Sequence, residues 1–379
     1  MSPAKRGSAF GSVRKRTTGN KIRWQARWQD RDGHQHSATF PTRRQADEWL
    51  SEQATDRNRG AWTDPRDGRT LFVDWQARWR STIVDLRRST LVRDLGYLDR
   101  YLVPAFGTAQ LAEIDSLMIE AWVAELRSRL APATVVKAGQ IMSKIMGAAV
   151  RAKLIPTNPC AGVKLPRIDD HEMRFLEADE AWSLADSIDE KYRGLVLLGV
   201  GCGLRPGEML GLRAGRVDPL RRTIDVAEIV VEADGHLYVG PPKTNAGRRR
   251  VPAPRFVMDA LKPHLAGKGP DDLVFPAPRG GHVRAGNWRK RYWRPAVTAA
   301  GLEAGLRVHD LRHTAVAWWI AAGADPVDIA RRAGHTSVSV VLDRYGHLLA
   351  GKADEVTDRL DMLGARPAAG GVVIPMTTR

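Results

Sequence analysis

The sequence predicts a multi-domain α+β protein. The expected order is a small three-stranded sheet with one helix, then an all-α domain, then a mainly α domain with a small antiparallel sheet. Three observations carry this. The chain has 379 residues, more than one domain usually holds. The apolar pattern changes from alternation before residue 60 to three- and four-residue spacing after residue 70, and is mixed from about residue 175. Two stretches rich in Gly, Pro and Asp, GAWTDPRDGRT (60–70) and KLPRIDD (164–170), read as linkers between those patterns. The expected domains are therefore 1–60, 70–160 and 172–365, with a tail over 366–379.

SVRKRTT, RWQARWQD and HQHSATF read as short strands, with Gly19-Asn20 and Asp32-Gly33 as the turns between them. Trp24, Ala26 and Trp28 alternate with polar neighbours, the period of a half-buried strand. PTRRQADEWLSEQATDRNRG then reads as one helix, with Thr42 as its N-cap and Gly60 just past its end. The spacing predicts further helices near 71–82, 87–101, 116–130 and 132–152. Within the last block TIDVAEIVVE, HLYVG and RRRVPAP read as the strands of a short sheet. The final fifteen residues are small and rich in Pro and Gly, and GVVIP has the composition of an added strand.

Charge points to the partner. With 59 Lys and Arg against 43 Asp and Glu, the net charge is +16. A protein this basic most often binds a polyanion, nucleic acid first. The first 60 residues hold 13 basic and 6 acidic side chains, and Lys5, Arg6, Arg14, Lys15 and Arg16 precede any acid. Two readings fit: a solvated basic tail, or a separate DNA-binding module whose basic arm neutralises phosphates. The two cysteines, Cys160 and Cys202, have no metal-ligand spacing and suggest no disulfide framework. No apolar run is long enough for a membrane span, and the N-terminus lacks the apolar core of a signal peptide, so a cytoplasmic protein is expected.

No GxxxxGK[ST] loop, no GxGxxG after a strand and no HExxH occurs. HDLRHT (309–314) holds two readings. His309 and His313 have the spacing of a helical zinc pair, but no Glu base follows His309 and no third ligand lies at helical reach. His309 and Arg312 have instead the spacing of a pair gripping one phosphate, which leaves His313 to brace the helix. GCGLRPGEMLGL (201–212) puts Arg205 in a glycine-flanked turn, with Pro206 at a helix start and Glu208 able to orient the guanidinium. Alone, that is an ordinary helix-start ion pair. PPKTNAGRRRVP (241–252) is a hairpin candidate with Lys243 at its turn, which alone is an ordinary charged hairpin tip. RRAGHTSVSVVLDRYGHLL (331–349) supplies His335 and, ten residues later, Tyr345, delivered near the end of a helix from about Ser337 to Asp343. A lone tyrosine there is ordinarily a packing residue.

Together, in this order, these four stretches resemble the tyrosine recombinase (phage integrase) family: GLRPGEMLGL its arginine box, PPKTNAGRRRVP its lysine hairpin, HDLRHT its His-x-x-Arg box, and AGHTSVSVVLDRY its Gly-His and tyrosine. The helical block, ending in LIPTNPCAGVKLP, is similar to the family's core-binding domain, and residues 1–60 are similar to the arm-binding domain of longer integrases. The resemblance implies a site-specific recombinase that cuts and rejoins DNA through a 3′-phosphotyrosine, integrating and excising a phage or mobile element, with neither metal nor ATP. It implies Tyr345 as nucleophile, His309 as base, Lys243 as acid to the leaving 5′-oxygen, and Arg205 and Arg312 on the non-bridging oxygens. His335 would hold the phosphate, with Glu208 orienting the site from behind. Arg14, Lys15, Arg16, Arg248 and Arg249 are candidate DNA contacts. The implied partners are duplex DNA at core and arm sites, three further copies in a tetramer on synapsed DNA, and a host DNA-bending protein and an excision factor. The implied location is the bacterial cytoplasm, at the nucleoid. Alternatives are an invertase or resolvase of the same family, a type IB topoisomerase using the same residues, a non-catalytic DNA-binding regulator, and a metal-dependent nuclease or transposase.

Overall fold

A computed structural model describes residues 10–18, 21–30, 33–58, 64, 66–84, 86–168, 173–242, 244–349, 357–358 and 360–361. The expected turns at Gly19-Asn20 and Asp32, the helix-ending Gly60, the tail over 366–379 and Lys243 lie outside these residues. The chain divides into two compact units, residues 1–169 and 170–379.

The first unit opens with an antiparallel meander of β1 (Gly11–Thr18), β2 (Lys21–Gln29) and β3 (Gln35–Phe40), covered by α1 (Arg43–Asn58). The alternation of β2 turns Ala26 and Trp28 inward, where they meet Ala46 and Leu50, four apart on α1. Thr42 caps α1 by accepting from the Gln45 amide. Arg14, Lys15 and Arg16 stand exposed on β1, which among the described residues pairs only with β2.

A second, all-helical core follows in the same unit: α2 (Phe72–Ser81), α3 (Arg88–Tyr97), α4 (Val103–Phe106), α5 (Ser116–Arg129) and α6 (Pro132–Arg151). Between α3 and α4 the chain passes through a π turn at Leu98–Leu102, just before Pro104 removes a backbone donor. Pro132 at its first turn starts α6. Val135, Ala138, Ile141, Met142, Ile145 and Met146 then line its buried face.

The second unit has a helical core around α8 (Glu190–Cys202), which packs with α7 (Ala178–Ser187), α10 (Arg255–Leu265) and α13 (Asp310–Ala321). Residues 194–202 are buried without a break, so after its charged first turn α8 is apolar all round, as a central helix must be. It ends at Gly203, φ 62°, where an added Cβ would lie 2.7 Å from Trp319. That left-handed turn redirects the chain into the short α9 (Pro206–Leu210). The remaining helices are α11 (Ala285–Trp288), α12 (Arg294–Ala299), α14 (Pro326–Ala333) and α15 (Ser339–Leu349).

The β segment departs from expectation. Two small antiparallel sheets form, one of β4 (Val217–Asp218), β5 (Thr223–Val226) and β8 (Arg249–Pro252), the other of β6 (Ile229–Ala233) and β7 (His236–Gly240). TIDVAEIVVE is thus two strands, broken at Ala227-Glu228. Residues 241–248 are not a hairpin tip: β7 pairs with β6, β8 pairs with β5, and the stretch between is a crossover with a 3₁₀ turn at Asn245–Gly247. Local alternation marks strands but does not choose their partners. Nor does Tyr345 lie near the end of a helix ending at Asp343: α15 runs on to Leu349 and holds it mid-helix.

No helix among the described residues is long and apolar enough to cross a membrane. Both cysteines are thiols, and burial pushes Cys160 up to about 11 and Cys202 up to about 12.

Candidate active site

The site is built around one carboxylate and three guanidiniums. Glu208, on α9, is 2% exposed. It accepts from the Arg205 amide at 2.8 Å and from Arg205 Nη1 at 2.9 Å. Its other face is taken by Arg249 of β8, which donates to both oxygens, at 3.1 and 2.9 Å. Burial alone raises the Glu208 carboxyl, but the Arg249 hydrogen bonds and charge outweigh it, and the net shift is down. Glu208 is therefore an anion at neutral pH.

The three guanidiniums share a second anchor. Arg249 Nε donates to the carbonyl of Arg332 at 2.6 Å, Arg312 Nη2 to that of Ala333 at 2.5 Å, and Arg205 Nη2 to that of Gly334 at 3.0 Å. These three consecutive carbonyls end α14, where a helix leaves its last acceptors unpaired and its dipole is negative. Gly334 closes the helix at φ 65°, with Ala246 O only 2.8 Å from where a Cβ would stand. Arg312 also donates to the Gly203 carbonyl at 2.7 Å, the atom aimed by the left-handed turn after α8. Arg312 is 3% exposed. Burial, with Arg205 and Arg249 nearby, pulls its ionisation down to about 9, so it stays charged at neutral pH.

The imidazoles come next. His309 is the N-cap residue of α13, and burial, then His313 and Arg312, lower it to about 4. His335 follows Gly334, and burial, then Arg312 and Arg205, lower it to about 4. Both are neutral at pH 7. Nδ1 of His335 is buried with no hydrogen-bond partner among the described residues. Tyr345 is 2% exposed, and its hydroxyl lies 2.7 Å from Nδ1 of His313, one turn on from His309. The His309 and His313 rings meet edge to face, 5.0 Å between centroids. Burial raises the Tyr345 phenol, against the opposing charges of Arg312 and Arg344.

A pocket of about 360 Å³ opens at this cluster, lined by Arg205, His309, Arg312, His313, His335 and Tyr345 among others. Pro242 and Thr244, either side of Lys243, line it too. Five of the six residues singled out as catalytic in sequence thus converge, and the sixth, Lys243, lies outside the described residues. Arg248 is exposed, but Arg249 is not the DNA contact expected of it: its side chain is 4% exposed and bound to Glu208. Period-two alternation carried that signal, since Arg249 shares the inward face of β8 with the fully buried Val251. His313 was expected only to brace its helix, and instead it touches the tyrosine oxygen.

One group of metal-ligand type occurs among the described residues: Asp30, His36 and Asp64, with ligand atoms within 4.8 Å of one another. Asp64 is paired with Arg66, and Asp30 lies within hydrogen-bond or ion-pair distance of His36 and His34, so both carboxylates already have partners from this chain.

Comparison with known proteins gives this geometry its context. Residues 170–352 match the family model of the phage integrase family, and residues 9–59 match that of the phage integrase N-terminal domain. The chain belongs to the phage integrase family. As a family member it is a site-specific tyrosine recombinase, an integrase. This integrase is 27% identical over 369 residues to a putative prophage phiRv2 integrase of Mycobacterium tuberculosis, covering 93% of this chain and 96% of that one. It is 26% identical over 350 residues to the integrase of Mycobacterium phage L5, covering 88% and 92%. In fold it is similar to the Tn1549 transposon integrase solved with a circular intermediate DNA (TM-score 0.66, 19% identity, 77% of this chain and 100% of that one). It is also similar to a lambda integrase dimer solved on a COC′ core site (TM-score 0.57, 15% identity, 93% and 97%).

Proposed function

We propose that this integrase cuts duplex DNA with Tyr345, which attacks the scissile phosphate and leaves a 3′-phosphotyrosine, and that it integrates and excises a phage or mobile element in this way. The observation that carries the reading is the convergence of Arg205, Arg312, His309, His335 and Tyr345 on one pocket. The attack gathers charge on the non-bridging oxygens. Guanidiniums already held by Glu208 and by the α14 carbonyls meet that charge without reorganising. The orphan Nδ1 of His335 is ready for a phosphate oxygen. His309, neutral at pH 7, is able to hold a proton at the same phosphate. Lys243 is the proposed acid for the leaving 5′-oxygen, supported by its two neighbours lining the pocket. The phosphotyrosine conserves the phosphodiester bond energy until a 5′-hydroxyl of the partner strand attacks it.

Residues 1–60 are proposed to hold arm sites through Arg14, Lys15 and Arg16, residues 70–160 to hold the core site, and residues 172–365 to carry the chemistry, with exposed Arg248 a further DNA contact. Linked modules on two DNA sites raise effective concentration at the second. A tetramer is proposed on synapsed DNA. A lambda integrase tetramer solved on a Holliday junction supports it (TM-score 0.54, 17% identity). A host DNA-bending protein, an excision factor and a cytoplasmic location complete the proposal.

The test is a nicked duplex bearing a core sequence selected from a random pool by binding to the protein. In EDTA a covalent adduct is expected with the parent protein and none with Tyr345→Phe. An adduct in Tyr345→Phe, or a strict need for a divalent metal, overturns the reading.

A further inference from the structure

We propose that His313 is a catalytic residue of strand cleavage: its Nδ1 takes the phenolic proton of Tyr345 as the phenol attacks phosphorus. The inference rests on Tyr345 being the nucleophile, as proposed above.

The geometry points to His313 rather than His309. The Tyr345 hydroxyl has one acidic hydrogen, and a ring nitrogen, Nδ1 of His313, lies at hydrogen-bond distance from its oxygen, 2.7 Å. Both side chains are buried and sit on packed helices, α13 and α15, so the contact is held from both sides. The step requires the tautomer in which Nδ1 carries the lone pair and the resting proton of His313 sits on Nε2, so that the phenol donates to Nδ1. The imidazole is kept neutral by burial first, aided by Arg344, Arg307 and Arg312 against the opposing Asp310, and a neutral imidazole is what a base must be. Burial holds the phenol above its ordinary ionisation range, so attack as a free phenolate is disfavoured and transfer during attack is the lower route. His309, edge-on to His313 and lining the same pocket, is left facing the phosphate.

The step balances. The Oη–P bond forms, the P–O5′ bond breaks, the phenolic proton passes to Nδ1, and the 5′-oxygen takes a proton from the site's general acid. The cationic His313 is countered by the negative charge gathered on the phosphate. On resealing, the 5′-hydroxyl attacks phosphorus and its proton goes to the conjugate base of that acid. The departing phenolate then recovers its proton from His313.

The alternative is that His313 only holds the phenol in place. His313→Asn separates the two, because an amide oxygen near the Nδ1 position accepts the hydrogen bond but cannot take the proton. Adduct formation on the nicked duplex above is measured for the parent and His313→Asn, each with tyrosine or a more acidic difluorotyrosine at position 345. His313→Asn is expected to slow the reaction by about a hundredfold. The difluorotyrosine is expected to restore about tenfold of that loss while changing the parent little. An unchanged rate in His313→Asn, or a loss equally deep with both phenols, overturns the proposal. His313→Gln, run in parallel with a gel-shift measurement of DNA binding, serves if the asparagine variant does not fold, with the same outcomes required. An adduct in Tyr345→Phe would remove the nucleophile assignment itself, whereas a normal rate in His313→Asn removes only this inference.

Discussion

Arg249 grips both carboxylate oxygens of Glu208, at 3.1 and 2.9 Å, and neither side chain reaches solvent to any extent. The same Glu208 oxygens receive Arg205, the more exposed of the two arginines. Arg249 therefore acts on Arg205 through Glu208, as a positioning residue, although it sits in a run of basic residues that reads as a DNA contact. Arg249→Met leaves a buried carboxylate with one partner removed. A stability loss of about 3 kcal/mol is expected, read as a lower denaturant midpoint at unchanged slope. A loss below about 1 kcal/mol would show that the pair is not structural.

Arg312 bridges the Gly203 and Ala333 carbonyls and lines the pocket. Lysine keeps the charge but cannot reach two acceptors and a phosphate with one planar group. Arg312→Lys is expected to slow adduct formation by about a hundredfold or more while DNA affinity changes little. Gel shift and single-turnover cleavage check this together, and equal losses in both would assign Arg312 to binding rather than to the transition state.

Gly334→Ala tests the cap that three guanidiniums share. Its φ of 65° disfavours any side chain, and Ala246 O stands 2.8 Å from the new Cβ. A destabilisation of about 1–2 kcal/mol is expected from the backbone, with a further loss of cleavage as the carbonyls of residues 332–334 shift. Unchanged cleavage in a destabilised variant would separate the cap from the site.

Acid sensitivity follows from His309 and His335, both lowered to about 4 by burial. Unfolded histidines bind protons near pH 6.5, so between about pH 6.5 and 4 the unfolded chain holds more protons than the fold. Stability must then rise with pH in that window and fall as the solution is acidified through it. The melting temperature should drop from pH 7 to pH 5, and His309→Gln with His335→Gln should flatten that drop. An unchanged slope would place the acid sensitivity elsewhere.

Arg14→Ala with Lys15→Ala and Arg16→Ala tests the exposed face of β1. The salt slope of arm-site binding should fall by about 3, one for each charge removed, with core-site cleavage unchanged. An unaltered slope would return β1 to the reading of a solvated basic surface.

Much of this protein was legible in the sequence because the signals are local. Alternation of Trp24, Ala26 and Trp28, the Pro132 start and the buried stripe of α6 each involve neighbours along one element. The pocket residues were legible only as a set: each stretch alone read as ordinary, and it was their order and joint resemblance to the tyrosine recombinase family that singled them out. Strand pairing was not legible. β5 and β6 are separated by two residues yet enter different sheets, and only packing chooses between β7 and β8 as their partners. Arg249 and Arg250 are adjacent in sequence, but the pleat turns one to Glu208 and the other to Asp225 at the surface.

HDLRHT shows where the division falls. The sequence by itself determined that His309, Arg312 and His313 would share a helix start and lie near one another, because 3.6 residues per turn leaves no choice. It also determined the basic net charge, which favours a polyanionic partner. Which imidazole meets Tyr345, 32 residues on, was decided only by how α13 and α15 pack. So was the convergence of Arg205, Arg249 and Arg312 on the last carbonyls of α14. Helical periodicity sets the face a side chain occupies, but the atom opposite that face belongs to another element, and its position follows from the burial of the whole core.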